Sequence, residues 1–218
     1  TCPHGWNALD GEEGGNNDVR GTCWYRRHIV LPASFAGKQL VIRFQGAFQT
    51  AAVYVNGKKL GEHEGGFAAF CYDATAALHP GDNTVAVTVS NVQDTNIPPW
   101  DADFTFFGGI YRPAEIIAVA PTHISLTDYA SPGVYITTPV VTPEAARVHI
   151  RTLVESPADA PAGVQLACDI LDASGKIATS SNEPVTLTPG KRQEIATDIS
   201  LPTPHLWNGR PDPYLYTV

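Results

Sequence analysis

The sequence is poor in several features that mark particular classes of protein. Its 218 residues include only 14 Lys and Arg against 22 Asp and Glu, and no basic block concentrates the cations. The formal net charge of −8 therefore argues against nucleic acid or an anionic membrane as the main partner. No apolar run approaches the roughly 20 residues of a membrane helix. A neutral or weakly charged partner fits this composition better.

Methionine is absent and cysteine is rare. The chain opens without an initiator Met, so its beginning looks processed or trimmed, and the lack of a basic and apolar signal segment carries little weight. The cysteines are Cys2, Cys23, Cys71 and Cys168. They lack the short paired spacing of a zinc site, and we expect neither a bound metal nor a catalytic thiol among them.

The four cysteines leave the cellular compartment open. Cys168 alternates with Leu166 and Ile170, which predicts a small buried residue on the apolar face of a strand. A disulfide between Cys2 and Cys23 is compatible with the sequence, so the redox state is not fixed. A periplasmic or secreted location is favoured over a cytoplasmic one.

What is present is a two-residue alternation of apolar and polar side chains, for example at residues 40–44 and 85–89. This period predicts half-buried strands of antiparallel sheets. Asn56 and Gly57 stand between two such runs and form the strongest short hairpin signal, because both tolerate a positive φ. Helical periodicity is nearly absent, apart from a turn predicted at 73–78.

A boundary is predicted after a strand at residues 116–119. Residues 1–120 have longer loops and about eight strands, a pattern typical of a jelly roll. Residues 121–218 continue as short strands separated by Pro and Gly turns, which is typical of an immunoglobulin-like sandwich. The strands of this second part are predicted at 134–138, 146–154, 164–171, 177–187 and 194–201. The predicted fold class is therefore all-β.

An acidic loop is the most informative local feature. Asp101 and Asp103 stand immediately before an aromatic and glycine turn, and three phenylalanines have the bulk to anchor it. Gly108 and Gly109 allow a positive φ or a close backbone approach, and Arg112 can pair with a nearby acid. Such a loop delivers a carboxylate to a site. The alternative interpretation is a plain connection between strands.

Further motifs, taken in order with this loop, resemble a known enzyme family. They lie at residues 3–11, 14–17, 20–27, 53–58 with 62–67, and 205–218. In this order the chain resembles the non-catalytic N-terminal half of glycoside hydrolase family 2, the group of β-galactosidases, β-glucuronidases and β-mannosidases. The resemblance runs nearly end to end. The stretches 6–11 and 108–112 look most like the β-galactosidases.

The resemblance implies a galactose-binding-like jelly roll followed by an immunoglobulin-like β-sandwich. It implies that the chain supports its own C-terminal catalytic (β/α)₈ barrel, which lies outside these residues together with both catalytic glutamates. The full enzyme would hydrolyse terminal β-galactosides with retention, act on a carbohydrate substrate, need no cofactor, and could form a homo-oligomer. Family members usually carry a leading strand before the Pro-His segment, so we expect here a sheet edge that is either exposed or supplied by residues outside this sequence.

Two alternatives stay open. The first is a stand-alone carbohydrate-binding or adhesion module, for which a jelly roll alone is sufficient warrant. A catalytic barrel encoded beyond Val218 would distinguish an enzyme from this module. The second alternative is the same portion of a β-glucuronidase or a β-mannosidase, because the barrel largely sets the choice of sugar.

The resemblance also implies site residues. Asp103 matches an aspartate of the family's Asp-x-Asp loop, which reaches into the active site of the barrel, contacts sugar hydroxyls and, in some β-galactosidases, contacts a sodium ion. Asp101 and Trp100 are weaker candidates, since Trp100 either stacks on a pyranose or packs beneath the loop. Asn17 and Arg20 lie in a loop that the family places near the mouth of the barrel.

Other residues have a structural interpretation that outweighs the functional one. Glu62 and Glu64 share a strand face at i, i+2, and a retaining glycosidase needs two carboxyl groups. A charged strand end exposed to solvent is the favoured interpretation of this pair. His63 is expected to be structural, with a sugar-lining role as the alternative. Trp6 and Trp24 are predicted in the core rather than on a sugar-binding surface.

Overall fold

The computed structural model describes residues 2–6, 19–98, 108–159 and 163–218. Across these ranges the regular structure is β-strand, apart from one 3₁₀ turn at Ala33–Phe35. The predicted all-β fold class is therefore confirmed. The chain divides into two compact units, Thr1–Ala120 with Leu126–Ala130, and Pro121–Ser125 with Ser131–Val218. The described residues include no helix that is long and apolar enough to cross a membrane.

The first unit is a sandwich of two antiparallel sheets. Its described strands are β1 (His4–Gly5), β2 (Thr22–Leu31), β3 (Gln39–Phe44), β4 (Thr50–Val55), β5 (Lys58–Glu64), β6 (Phe70–Asp73), β7 (Gly81–Ser90), β8 (Gly109–Ile110) and β9 (Ala114–Val119). One sheet has the order β2-β7-β4-β5, the other has the order β6-β3-β9, and β1 pairs with β8. Phe44, Val53 and Val89 are among the buried side chains that fill the space between the sheets. Burial of this apolar surface is the main force that holds the sandwich together.

The predicted hairpin at Asn56 and Gly57 is confirmed. Their φ angles are 50° and 80°, and Val55 pairs directly with Lys58, so the loop has two residues. A turn with two positive φ angles matches the twist of the flanking strands. The Asn56 side chain also donates from Nδ2 to the buried Asn83 Oδ1 at 2.8 Å, which ties the turn to β7.

The alternation along β2 determines which tryptophan lies in the core. Tyr25, Ile29 and Leu31 point inward, so the residues between them point outward. Trp24 is 65% exposed, and its predicted place in the core is wrong. Trp6 does pack against the core, as predicted.

The first unit is open between two sheet edges. Among the described residues β2 pairs only with β7, and β9 pairs only with β3. A cleft of about 720 Å³ lies between these edges and is lined mainly by inward apolar side chains such as Ile29, Ile42 and Ile116.

The second unit is also a two-sheet sandwich. Its described strands are β10 (His123–Ile124), β11 (Val134–Val141), β12 (Ala145–Glu155), β13 (Gly163–Leu171), β14 (Ile177–Thr186) and β15 (Arg192–Pro202). In one sheet β12 pairs with β10, β11 and β15, and β13 pairs with β14 in the other. Ile150, Ile170 and Leu201 belong to the core between them.

Cys168 belongs to the core of the second unit, as the alternation along its strand predicts. Burial raises the pKa of its thiol, so it is a packing residue rather than a nucleophile. The four cysteines are all free thiols, and Cys2 and Cys23 are exposed. The disulfide that the sequence left open between Cys2 and Cys23 is therefore not formed in this structure.

Candidate functional site

The described flanks of the segments that carry the predicted site residues adjoin one end of the four-stranded sheet. Thr22, Ser90, Thr50 and Glu64 form a cross-strand row at this end. The segment with Arg20 precedes β2, and the acidic loop follows β7. We call this region the loop end of the first unit.

The predicted site residues differ in whether the structure describes them. Asp101, Asp103, Trp100 and Asn17 lie outside the described residues, and the sodium ion expected near Asp103 falls outside with them. Arg20 is described and exposed. The structure thus places one predicted residue at the loop end and describes the flanks of the loop that carries three others.

Asn91 fixes the segment around Arg20. It is fully buried, its Oδ1 accepts a hydrogen bond from the backbone N–H of Gly21 at 2.9 Å, and its Nδ2 donates to the Val19 carbonyl at 2.9 Å. The Trp6 indole N–H donates to the same carbonyl at 3.1 Å. A buried amide with satisfied partners holds backbone at a defined position, because leaving those groups unpaired would cost free energy.

Gln49 fixes the segment that leads into the acidic loop. This residue is only 2% exposed, and its Nε2 donates to the Ile97 carbonyl at 2.7 Å. Its backbone N–H donates to the Ser90 carbonyl, and its own carbonyl accepts from the Gly65 N–H at 3.0 Å. One residue therefore joins β7, the segment after β5 and the N-terminal flank of the acidic loop.

Gly108 and Gly109 fix the other flank. The sequence predicts a positive φ or a close backbone approach at these glycines, and both features are present. Gly109 has a φ of +118°, and a Cβ there would lie 2.5 Å from both the His4 carbonyl oxygen and the Tyr25 hydroxyl. A Cβ on Gly108 would lie 2.0 Å from the Trp6 ring. The backbone N–H of Trp6 donates to the Gly108 carbonyl at 3.0 Å. Only glycine fits so close an approach.

Arg112 binds backbone carbonyls near this flank. Its Nη1 donates to Phe67 at 3.1 Å and to Gln45 at 3.4 Å. Its guanidinium carbon also lies 5.3 Å from the centroid of the Tyr111 ring. Arg112 thus connects the segments after β3 and β5. The acids of the adjoining loop, Asp101 and Asp103, lie outside the described ranges.

Glu62, His63 and Glu64 lie at the end of β5. Glu62 forms an ion pair with Lys59, and both glutamates are exposed. The His63 ring stacks on Phe70 with centroids 4.1 Å apart and an interplanar angle of 13°. Burial lowers the pKa of His63, which favours a neutral imidazole. Its Nε2 is buried without a hydrogen-bond partner within the described ranges.

Neutral amides and backbone groups fix the loop flanks, and the two described glutamates nearby are solvated. Across the described ranges no three His, Cys, Asp or Glu side chains group to hold a metal ion. The sequence did not identify Gln49 and Asn91, because a polar residue beside a strand end has no local signal that distinguishes it from an ordinary turn residue.

Comparison with known proteins agrees with this architecture. The model described as "Glycosyl hydrolases family 2, sugar binding domain" matches residues 12–121, and the model described as "Glycosyl hydrolases family 2" matches residues 123–218. The chain belongs to glycoside hydrolase family 2. It comprises the sugar-binding and immunoglobulin-like domains, which form the non-catalytic N-terminal portion of a family 2 enzyme.

Relatives with two activities match this family 2 chain. A β-glucuronidase of Bacteroides fragilis is 35% identical over 218 residues, which cover 99% of the chain and 31% of the relative. A β-galactosidase of Thermoanaerobacter pseudethanolicus is 30% identical over 223 residues, covering 100% of the chain and 28% of the relative. The crystal structure of a Bacteroides uniformis β-glucuronidase matches with a TM-score of 0.87 and 35% identity, covering 99% of the chain and 25% of that structure. The chain spans about a third or less of each.

Proposed function

We propose that the full-length protein is a retaining glycosidase that removes terminal β-glucuronosyl residues. The observation that carries this choice is similarity over the whole chain to two β-glucuronidases, at 35% identity in Bacteroides fragilis and 31% in Formosa agariphila. The motifs at residues 6–11 and 108–112 favoured a β-galactosidase instead. The Thermoanaerobacter relative keeps β-galactosides as the second candidate substrate.

Within this proposal the first unit completes the substrate pocket of the catalytic barrel. An ionised carboxylate at Asp103 accepts charge-assisted hydrogen bonds from adjacent sugar hydroxyls and orients the ring. Gln49 and the two glycines at 108 and 109 hold the flanks of its loop through the contacts described above. Fixing the carboxylate before substrate arrives reduces the entropy that must be lost in the reaction. Asp101 and Trp100 have supporting roles.

Substrate choice is tested first with the full-length enzyme. We expect aryl β-glucuronides to be hydrolysed with a higher kcat/KM than aryl β-galactosides. The opposite ranking would favour the second candidate. The isolated 218 residues should hydrolyse neither, because an oxocarbenium-like transition state needs a pair of carboxyl groups that the family supplies from its barrel.

Asp103→Ala then tests the role of the loop. We expect kcat/KM to fall roughly 30-fold to 1000-fold, which corresponds to a loss of about 2 to 4 kcal/mol of transition-state stabilisation. The loss is this large because sugar hydroxyls are left unpaired in a closed site. Asp101→Ala is the matched control and should lose much less. If Asp101→Ala loses the activity instead, the functional aspartate is the earlier one. If neither change matters, the loop is only a structural connection.

A further inference from the structure

The outward face of the four-stranded sheet carries an aromatic pair. Trp24 on β2 and Tyr54 on β4 have ring centroids 5.6 Å apart and planes inclined by 37°. Their strands are separated by β7, which places only Ala86 and Thr88 beneath them in the register. Arg26 lies in the same cross-strand row as Ala86 and Tyr54. We call Trp24, Tyr54 and Arg26 the aromatic platform.

The polar groups of the platform are available to a ligand. Within the described ranges the Trp24 indole N–H, the Tyr54 hydroxyl and the Arg26 guanidinium form no hydrogen bond or ion pair with another residue. Trp24 and Arg26 are both exposed. A buried Trp or Tyr usually finds a hydrogen-bond partner for its polar atom. Trp24 is instead exposed and Tyr54 is half-exposed, and neither has such a partner among the described residues. The platform therefore combines a flat apolar surface with unused hydrogen-bond donors.

The platform lies close to the loop end. The row that contains Trp24 and Thr88 is two residues from the row that contains Thr22 and Ser90. Two residues of a strand span about 7 Å, which is close to the size of one pyranose ring. A glycan that reaches the loop end can therefore continue across Trp24 without leaving the surface of the first unit.

Charge decides the class of glycan. The chain has a formal net charge of −8, yet the platform itself contributes a guanidinium that has no ion-pair partner among the described residues. A guanidinium binds a carboxylate through two parallel hydrogen bonds and retains its charge at any working pH. A neutral sugar offers this group only hydroxyl acceptors. A uronate adds a carboxylate, which can form a charged bidentate pair, on a ring whose apolar face can stack on the tryptophan.

We propose that the aromatic platform is a second carbohydrate-binding site, which takes a uronate-containing oligosaccharide. One pyranose stacks on Trp24 and Tyr54, and its carboxylate binds Arg26. The choice of an acidic sugar rests on the proposed β-glucuronidase function. The site itself rests on the ring contact between exposed Trp24 and half-exposed Tyr54 and on their donors, and it requires no turnover.

The test measures binding by the full-length protein. The probe is a hexasaccharide with alternating glucuronate, blocked at its non-reducing end so that it is not cleaved, and a neutral glucan hexasaccharide is compared with it. We expect Trp24→Ala to weaken binding of the acidic probe by roughly tenfold or more, since a central aromatic contact is lost. Arg26→Gln should weaken binding of the acidic probe to a similar degree and leave the neutral probe unaffected.

Trp207→Ala is the matched control, because Trp207 is 64% exposed and lies in the second unit. It should bind the acidic probe like the parent. Unchanged binding by both Trp24→Ala and Arg26→Gln would overturn the proposal, and so would equal losses with Trp207→Ala. Iodide quenching tests whether the platform is accessible, and Trp24→Phe identifies the fluorescence that comes from Trp24. If iodide does not quench this fluorescence, another part of the full-length protein covers the platform and the proposal is wrong. Probe binding by an enzyme that does not cleave aryl β-glucuronides would reject the proposed substrate and retain the platform.

Discussion

The two units of the chain use their polar side chains in different ways. In the first unit, buried neutral amides fix the ends of loops, as Gln49 does for Ile97 and Asn91 does for Val19 and Gly21. Such groups must keep their partners, because a buried donor or acceptor without one is costly. The first unit therefore places its buried polar groups where the positions of loops matter.

The second unit places its charged groups on an exposed sheet face. Asp198 accepts hydrogen bonds from Arg147 and from His149 at 2.9 Å each, and Arg151 pairs with Glu194 at 3.0 Å. All these pairs are at least partly solvated, and exposed ion pairs contribute little to stability. The difference teaches that the described buried amides of the first unit hold loop ends in place, whereas the described charge pairs of the second unit lie on an exposed strand face.

The largest expected effect comes from the tightest position of the first unit. Gly109→Ala should lower the free energy of unfolding by about 3 kcal/mol or more, because positive φ and overlap with two oxygens add together. The control is Gly175→Ala in the second unit, where φ is +82° and no atom lies near the added Cβ. This control should lose about 1 kcal/mol. Urea unfolding measures the free energy of unfolding of both variants. Equal losses would show that the position of Gly109 is no more constrained than that of Gly175.

The hairpin gives the next effect in size. Gly57→Val should lower the free energy of unfolding by about 1 kcal/mol or more, since a β-branched residue is strained at positive φ. Gly163→Val is the control, because Gly163 is the first residue of a strand and has open space around its Cα. Melting temperatures compare the two variants. A neutral Gly57→Val would mean that the turn tolerates side chains that its geometry disfavours.

The sequence predicts correctly those structural features that depend on residues close together in the chain. The hairpin at Asn56 and Gly57 depends on two adjacent residues, and the burial of Cys168 depends on strand alternation. Trp24 lies outside the core because its position in the strand alternation places it on the outward face. Inward Ile29 and Leu31 are an odd number of residues away from it, and this phase was readable in the sequence.

The framework of the loop end could not be predicted in the same way. Gln49 binds Ile97 across 48 positions of the chain, and Asn91 binds Gly21 across 70. These contacts exist only after the sheet has formed, so no short pattern contains them. The contribution of Asp103 to a site stays a prediction, since it rests on resemblance and on the flanks of its loop.

A smaller effect in the first unit depends on pH. The pKa of His63 is lowered by burial, so the unfolded chain binds a proton more readily than the folded one. Stability is therefore fully present above the unfolded pKa of about 6.5 and is lost as pH falls below it. His63→Phe, which keeps a ring beside Phe70, should reduce this loss. Unfolding curves at about pH 8 and pH 5 test it, and an unchanged slope would contradict burial as the cause.

The smallest effect belongs to the second unit. Hydrogen bonds from Arg147 and then His149 lower the pKa of Asp198 to about 2. The stabilisation is present above the ordinary carboxyl pKa of about 4 and is lost as pH falls toward the folded value. Asp198→Asn should flatten stability in that acidic window and lower it only modestly at neutral pH, because the carboxylate is solvated. A large loss of stability at neutral pH that persists in high salt would mean that the ion pairs of the second unit contribute substantially to its stability.

The contacts of the first residues have a practical consequence for anyone preparing recombinant fragments. The match to the sugar-binding model begins at residue 12, yet β1 at His4–Gly5 pairs with β8, and the backbone N–H of Trp6 donates to the Gly108 carbonyl. The Tyr25 hydroxyl also donates to the His4 carbonyl at 3.1 Å. A clone cut at the boundary of that match would remove the partners that hold the C-terminal flank of the acidic loop. An expression fragment that keeps these contacts of the sandwich must begin before His4.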